Sequence, residues 1–333
     1  MEANHFIVRP TQWDDLEAVT ALIREVLTAD GDAMSAVTSA ELKREWQSEG
    51  FRLETDAWVA VMEDSRVVGC EEFNHRHAHA YFNGDGYVHP QCRGLGIGTA
   101  LLRKVEERAR LEMQLAESDL RVYIRNIMSG ADRSAREMHE SEGYKPIRYH
   151  WMMEINLTEP PKVKPFPVGI ELRPFEKETQ AHLVFQAEEE AFHDHWGHTP
   201  GNFNNWQLRK LGREEFDPTL WHIAWDGDQI AGYAQTHYRN EVGWVGNLGV
   251  RRPWRKCGLG EALLLHSFNE FYRRGMTRIG LGVDASNPTG ATRLYQKVGM
   301  NVAVEDVIYE KELRPGKELA VISLEEEVVE AKR

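Results

Sequence analysis

Two six-residue stretches of this chain pair an arginine with bare backbone: "RGLGIG", Arg93 to Gly98, and "RKCGLG", Arg255 to Gly260. Each follows an apolar segment and leads into a leucine-rich one, so each is predicted to lie where a strand gives way to a helix. Glycine costs a helix roughly 1 kcal/mol relative to alanine, so Gly94, Gly96 and Gly98 at a helix entrance ask for a reason beyond folding. The first N–H groups of a helix have no partner inside it, and the aligned peptide dipoles there favour negative charge. The two loops therefore make seats for a phosphate, and side chains at Gly96, Gly98, Gly258 or Gly260 would hold that anion away from the main chain. Arg251, Arg252, Arg255 and Lys256 crowd four positive charges onto the second loop. They suit a polyphosphate; a solvated charge run is the alternative.

Other phosphate loops fit poorly. A Walker loop continues from its last glycine into Lys-Ser or Lys-Thr, whereas Gly98 is followed by Thr99-Ala100 and Gly260 by Glu261-Ala262. A dinucleotide fold sets its loop in an early strand-helix unit, and here a hairpin of strands precedes the loop in each half.

The elements that must position these loops occur twice. "FIVRP" returns as "GIELRP", and Val88, Arg93, Gly96 and Gly98 return at one constant offset as Val250, Arg255, Gly258 and Gly260. "AREMHESEGYK" is matched by "ATRLYQKVGMN", which sets Gly143 against Gly299. Between the copies "NLTEPPKVKPFPVG" has four prolines and no hydrophobic period, and reads as a linker. In the second half "LWHIAWDGDQIAGYAQTHY" predicts a hairpin about Asp226-Gly227, "GWVGNLGV" a third strand, "GEALLLHSFNEFYRRG" a helix, "RIGLGV" a strand, "PTGATRLYQKVG" a helix and "AVEDVIYEKEL" a returning strand. The first half runs in parallel. The expectation is an α/β fold with a mixed sheet in two tandem domains, 1–157 and 169–314, joined by the linker 158–168 and followed by a charged tail, 315–333.

The 333 residues suffice for two domains, and 41% hydrophobic content supports buried cores. A formal net charge of −13 disfavours a general nucleic-acid binder. Neither a leader nor an apolar run of membrane-spanning length is visible, so a cytoplasmic protein with no membrane partner is expected. Cys70, Cys92 and Cys257 cannot all pair and lack close ligand spacing, which suggests neither a disulfide framework nor a zinc site. His75, His77 and His79 in "HRHAH" share one face if extended. No carboxylate is fixed beside them by spacing, so no metal is expected.

The order strand, Arg-x-x-Gly-x-Gly, helix, strand and then "NPTGATRLYQKVGM" resembles the GNAT superfamily of N-acetyltransferases, and the duplication resembles its tandem type, which includes mycothiol synthase. The resemblance covers roughly residues 5–155 and 168–312. It implies acetyl-CoA as cosubstrate, with the pyrophosphate on the loop, here Arg255, Lys256, Cys257, Gly258, Leu259 and Gly260. The arm of the cofactor pairs with the strand before it, through Asn247, Leu248, Gly249 and Val250. In the first half the same roles fall to Gly86 to Val88, Arg93, Gly94, Gly96 and Gly98.

Transfer of acetyl to an amine also needs a proton for the departing thiolate, a donor to the oxyanion and a base. By resemblance Tyr295 protonates the sulfur and Asn287 contacts the pantetheine or sulfur region; a buried structural tyrosine is the alternative. A backbone N–H near Leu248 or Gly249 is the oxyanion donor. The base is open among Glu188, Glu189, Glu190, Asp194, Glu241 and Asp284. In the first half His139 stands where Tyr295 does and Ala131 where Asn287 does, so an inactive or structural first domain is expected and the second is the catalytic one. Trp196, Phe203, Trp206, Trp221 and Trp225 with the "FHDHWGH" segment either wall an acceptor pocket or fill a core. The acceptor expected is a small-molecule primary amine. A non-catalytic acyl-CoA sensor or scaffold, and an acetyltransferase of protein N-termini or lysines, stay open.

Overall fold

The computed structural model describes residues 6–198, 200–212, 216–287 and 289–319, with side chains throughout except at 76–78. Residues 320–333 of the expected charged tail and the side chain of His77 lie outside this description. In chain order the elements are β1 (Phe6–Pro10), α1 (Leu16–Ala29), α2 (Ser39–Trp46), α3 (Leu53–Asp56), β2 (Ala57–Met62), β3 (Val67–Arg76), α4 (His77–Ala80), β4 (Tyr81–Val88), α5 (Ile97–Glu112), β5 (Val122–Ser129), α6 (Arg133–Ser141) and β6 (Lys145–Asn156). There follow β7 (Ile170–Arg173), α7 (Lys177–Phe192), α8 (Phe203–Leu211), β8 (Trp221–Asp226), β9 (Gln229–Arg239), β10 (Val242–Val250), α9 (Leu259–Arg273), β11 (Arg278–Asp284), α10 (Ala291–Lys297) and β12 (Asn301–Arg314).

Local chemistry explains the boundaries. Thr38 and Glu41 cap the start of α2 reciprocally, Thr38 Oγ1 accepting from Glu41 N at 3.2 Å and Glu41 Oε2 from Thr38 N at 2.9 Å. Gly227, at φ 58°, turns β8 into β9. Helix α9 carries Leu264, Phe268 and Phe271 on one face, and all are fully buried with Val245, Ile279 and Leu281. Each such side chain contributes about 1.5–3 kcal/mol of burial.

The chain forms two compact units, and they divide elsewhere than the repeat suggested. One comprises residues 6–150 with 303–319; the other runs from Trp151 to Val302. The first unit's strand order is β1-β2-β3-β4-β5-β12, the second's β6-β11-β10-β9-β8-β7. The boundaries at 157 and 314 are thereby corrected: the last strand of the chain completes the first sheet, and Trp151–Asn156 of β6 belongs to the second. Strand β12 runs antiparallel to β5 with Glu310 opposite Arg125, their side chains 2.8 Å apart, while Val307 and Tyr309 enter the first core. Met153 is fully buried in the second core. Residues 315–319, expected as tail, are ordered on the first unit, where Arg121 N bonds Lys317 O at 2.9 Å and Arg121 Nη1 reaches Glu318 at 2.9 Å.

Gly243 of β10 lies under Phe271, and a Cβ there would meet the ring at 2.7 Å. Gly243→Ala is expected to destabilise the protein by about 1–3 kcal/mol, because a fully buried ring has nowhere to retreat. A fall in the urea midpoint measures it; an unchanged midpoint would show that the ring moves freely.

Candidate active site

In the second unit a β-bulge opens the sheet. The register of β10 on β9 slips between Val245 and Asn247, which leaves Gly246 as the extra residue. Among the described residues, β10 pairs in parallel with β11 at Gly243↔Ile279 and Trp244↔Gly280, before the bulge, while its pairing with β9 continues to Val250. Past the bulge, then, the edge of β10 from Leu248 to Val250 has no strand paired on that side among the described residues; Val250 O takes a bond from Arg255 Nε, and the other outward main-chain groups are left for a ligand.

That edge leads to the second glycine loop. Gly258, at φ 89°, caps α9, and the first helical bond there runs from Ala262 N to Gly258 O. The N–H groups of Leu259, Gly260 and Glu261 have no partner within the helix. The Leu259 side chain is buried in the core, so only its main chain can serve a ligand. A Cβ on Gly258 would meet nothing within 4 Å, and one on Gly260 only ordinary contacts at 3.5 and 3.6 Å. The positive φ explains Gly258. Nothing in the protein's own packing explains Gly260, which leaves close approach of something bound.

Three of the four expected loop cations have carboxylate partners within the protein. Arg251 Nε bonds Glu190 at 2.7 Å. Arg252 pairs with Asp194. Arg255 bonds Val250 O at 3.0 Å and Ala191 O at 3.1 Å, with Asp194 at 3.7 Å. These arginines brace the loop against the end of α7; Arg252 and Lys256 are both exposed, Lys256 at φ 65°. The exposed Cys257 donates to Trp254 O.

Of the candidate bases, the geometry separates Glu188. Its carboxylate accepts from Trp206 Nε1 at 2.9 Å, Gln235 Nε2 at 2.9 Å and Asn247 Nδ2 at 2.6 Å, which joins α7, α8, β9 and β10 beside the bulge. Two further residues that sequence reasoning missed complete the cluster. Gln235 Oε1 and the Tyr233 hydroxyl are buried without a hydrogen-bond partner. A Cβ on Gly249 would fall 2.3 Å from that hydroxyl. The signal was present in β9: Tyr233 and Gln235 alternate onto one face, polar groups in an otherwise apolar strand.

The remaining acids do other work. Glu189 accepts from Gly201 N at 2.8 Å and Glu190 from Arg251. Burial opposes the Asp194 charge, but Arg252 outweighs it and holds the carboxyl below its usual range, a poor base. Glu241 is corrected outright as a catalytic residue: it sits exposed in the Asn240-Glu241 turn where β10 begins, roughly 30 Å of strand from the loop. Asp284 ends β11 on the loop side and accepts from Ser286 N at 2.9 Å. Asn287 is engaged locally, its Oδ1 accepting from Thr289 N at 2.8 Å and Thr289 Oγ1 at 2.5 Å. Of the aromatic residues, Trp206, Trp221 and Trp225 are buried in the core and Phe203 packs against it, while Trp196 is half-buried outside it. Burial, and then the charge of Arg255, lower the pKa of His195.

Tyr295 lies on α10, 8% exposed, and burial raises its pKa to about 12. Its equivalence to His139 is visible in the backbone. Met300 N bonds Tyr295 O at 3.0 Å and Tyr144 N bonds His139 O at 2.9 Å.

The first unit repeats the frame with different contents. Gly94 and Gly96 have φ of 80° and 82°, and Gly98, like Gly260, has room for a Cβ at 3.4 Å from Met138 and 3.6 Å from Val88. Arg93 is bound by Asp30 at 3.0 Å and Asp132 at 3.2 Å. The pairing of β3 with β4 runs from Gly69↔Val88 to Arg76↔Tyr81 without a register shift. Where the second unit has its bulge, Glu71 and Asn126 lie over glycines: a Cβ on Gly86 would fall 1.8 Å from Glu71 and one on Gly84 2.5 Å from Asn126. Asn126 Nδ2 and Glu71 Oε1 are 3.3 Å apart, and burial pushes the Glu71 carboxyl well above its usual range.

An unpaired strand edge beside a seat for phosphate is what a transferase needs to hold an acyl carrier by its arm. The chain belongs to the acetyltransferase (GNAT) family, whose profile matches residues 22–131 and 181–300. A mycothiol acetyltransferase of Catenulispora acidiphila is 26% identical over 318 residues, 91% of this chain and 98% of that one. Its counterpart in Thermobispora bispora is 30% identical over 242 residues, 69% and 76% of the two chains. The crystal structure of a GCN5-related N-acetyltransferase from Sphaerobacter thermophilus matches with a TM-score of 0.81 at 36% identity, over 94% of this chain and 98% of that one. A tandem GNAT protein from the clavulanic acid biosynthesis pathway shares the fold, with a TM-score of 0.72 at 17% identity over 94% and 100%. The protein is thus an acetyl-CoA-dependent N-acetyltransferase with an α/β fold and two tandem GNAT regions. No helix among the described residues is long and apolar enough to cross a membrane.

Proposed function

We propose that the second unit acetylates the primary amine of a small molecule. The observation that carries this is the bulge at Gly246 with Glu188, Tyr233 and Gln235 gathered beside it. The bare edge of β10, the glycine-bounded N–H groups and the unexplained space at Gly260 fit a CoA-sized ligand. Acetyl-CoA supplies the acetyl group already activated as a thioester. Main-chain groups of Leu248 to Val250 hold the arm of the cofactor, and the N–H of Leu248 or Gly249 faces the oxyanion. Leu259, Gly260 and neighbouring N–H groups, with Lys256, hold the phosphates; Arg255 shapes the loop.

At the acceptor end Glu188 and the free Gln235 Oε1 are acceptors, which is the chemistry that recognises an ammonium group. Glu188 takes the proton that the amine must lose, directly or through water. Tyr295 keeps its proton at neutral pH. A thiol has a pKa of about 8.5, so a tyrosine near 12 serves the leaving sulfur as a hydrogen-bond donor more readily than by complete transfer. A small-molecule acceptor is supported by the relatives named mycothiol acetyltransferase. Thiol release from acetyl-CoA with a panel of small amines tests the reading. Tight CoA binding without turnover on any amine would sink it in favour of a sensor.

The seat itself is tested at Gly260. Alanine fits the protein's own packing and favours helix by about 1 kcal/mol, so Gly260→Ala is expected to leave the melting temperature level or raised. CoA affinity should fall about tenfold, about 1.4 kcal/mol. Calorimetric titration with CoA reads this, and unaltered affinity would place the phosphates elsewhere.

A further inference from the structure

Among the described residues, one group outside the acetyl-transfer site gathers metal-ligand chemistry. In the first unit His75, His79 and Glu112 each bring a ligand atom within 4.8 Å of the other two. The segment "HRHAH" is not extended, as the sequence suggested: α4 interrupts it, and a helical turn returns His79 toward His75. The two rings face each other with centroids 5.4 Å apart and planes at 16°. His79 Nδ1 lies 2.6 Å from Glu112 Oε1.

Three physical features prepare this group for a cation. Arg108 holds the other carboxylate oxygen, Glu112 Oε2, at 2.5 Å, which fixes Oε1 toward the histidines. Arg108 also binds Asp56 at 2.7 Å, and the side chains of Arg108, Asp56 and Glu112 are no more than 10% exposed. One guanidinium against two carboxylates leaves a buried unit of negative charge facing two imidazoles, which is costly unless a cation meets it. Glu112 is the last residue of α5, where the helix dipole adds to that demand. Independently, His79 is held at φ 57°, a left-handed conformation that persists in a non-glycine residue only where surroundings enforce it.

We propose that His75, His79 and Glu112 bind a divalent transition ion of borderline softness, zinc, cobalt or nickel, with water completing its coordination. The ion clamps β3 and α4 to the far end of the helix that carries the first glycine loop.

The test uses the full chain stripped with EDTA. Cobalt is added while visible absorption is followed, and zinc by calorimetry, for the wild type and for His75→Gln and His79→Asn; asparagine tolerates the left-handed backbone at 79. The expected result is one site per chain with cobalt bands, weakened about tenfold or more in each variant, and a zinc-dependent rise in melting temperature in the wild type alone. Superimposable titrations of wild type and variants would overturn the proposal, as would a wild type with neither bands nor heat. Should the variants not fold, zinc protection of His75 and His79 in the wild type from diethyl pyrocarbonate, mapped by mass spectrometry, supports the site, and equal modification with and without zinc overturns it.

Discussion

Tyr295→Phe is expected to lower kcat about 100-fold, which is about 2.7 kcal/mol of barrier, with little change in KM. Phenylalanine keeps the ring among Leu281, Val283 and Met300, so stability should move by no more than about 1 kcal/mol. What disappears is a hydroxyl whose pKa of about 12 keeps it a donor throughout the physiological range. Its interaction matters most once charge has developed on the sulfur, so the loss should fall on kcat rather than on binding. The companion variant is His139→Ala. His139 Nδ1 faces Ala135 O at 2.8 Å, and a carbonyl only accepts, so that nitrogen carries the hydrogen of a ring whose pKa burial lowers. The bare Nε2 has no proton to give, and this substitution should leave turnover within about twofold. Turnover that survives Tyr295→Phe and falls with His139→Ala would assign the chemistry to the first unit instead.

That contrast was legible in the sequence because it rests on short-range pattern. The glycine loops, the hairpin at Gly227 and the equivalence of His139 with Tyr295 are fixed by neighbours within a turn or two, and local conformation follows from them. The exchange of β12 was not legible: "AVEDVIYEKEL" alternates as a strand must, but alternation does not say which edge receives it. The choice lies in contacts remote in sequence, Glu310 on Arg125 and Arg121. The partners of the loop arginines were hidden for the same reason, since their charges are visible in the chain and the carboxylates of Glu190 and Asp194 that engage them are remote in sequence. Glu241 stood among the candidate acids with no spacing to select or remove it; the nine residues to Val250 form an extended strand, which turns a short separation in sequence into a long distance.

The same limitation hid the cluster around Glu188 that we propose as the acceptor site, and Glu188→Gln is the variant that tests it. Glu188 meets Gln235 and Asn247 across 47 and 59 residues of sequence, and no spacing rule singles it out of "AEEEAF". Glutamine preserves its shape, and Gln235 can turn its unpartnered oxygen toward the new amide, so the fold should hold. The expected loss in kcat is about 100-fold or more. The pH profile carries the sharper information. With the carboxylate present, the amine is relieved of its proton inside the site, and the rate should level off while the free amine, with a pKa near the 10.4 of lysine, is still almost wholly protonated. Without it, only amine already deprotonated in solution can react, so the rate of the variant should climb about tenfold per pH unit toward that pKa. If Glu188 merely binds the ammonium group, KM rises instead and the shape of the profile stays. Unchanged kcat, KM and profile would remove Glu188 from the site and return the base to Asp284, which shares the loop-side end of the sheet.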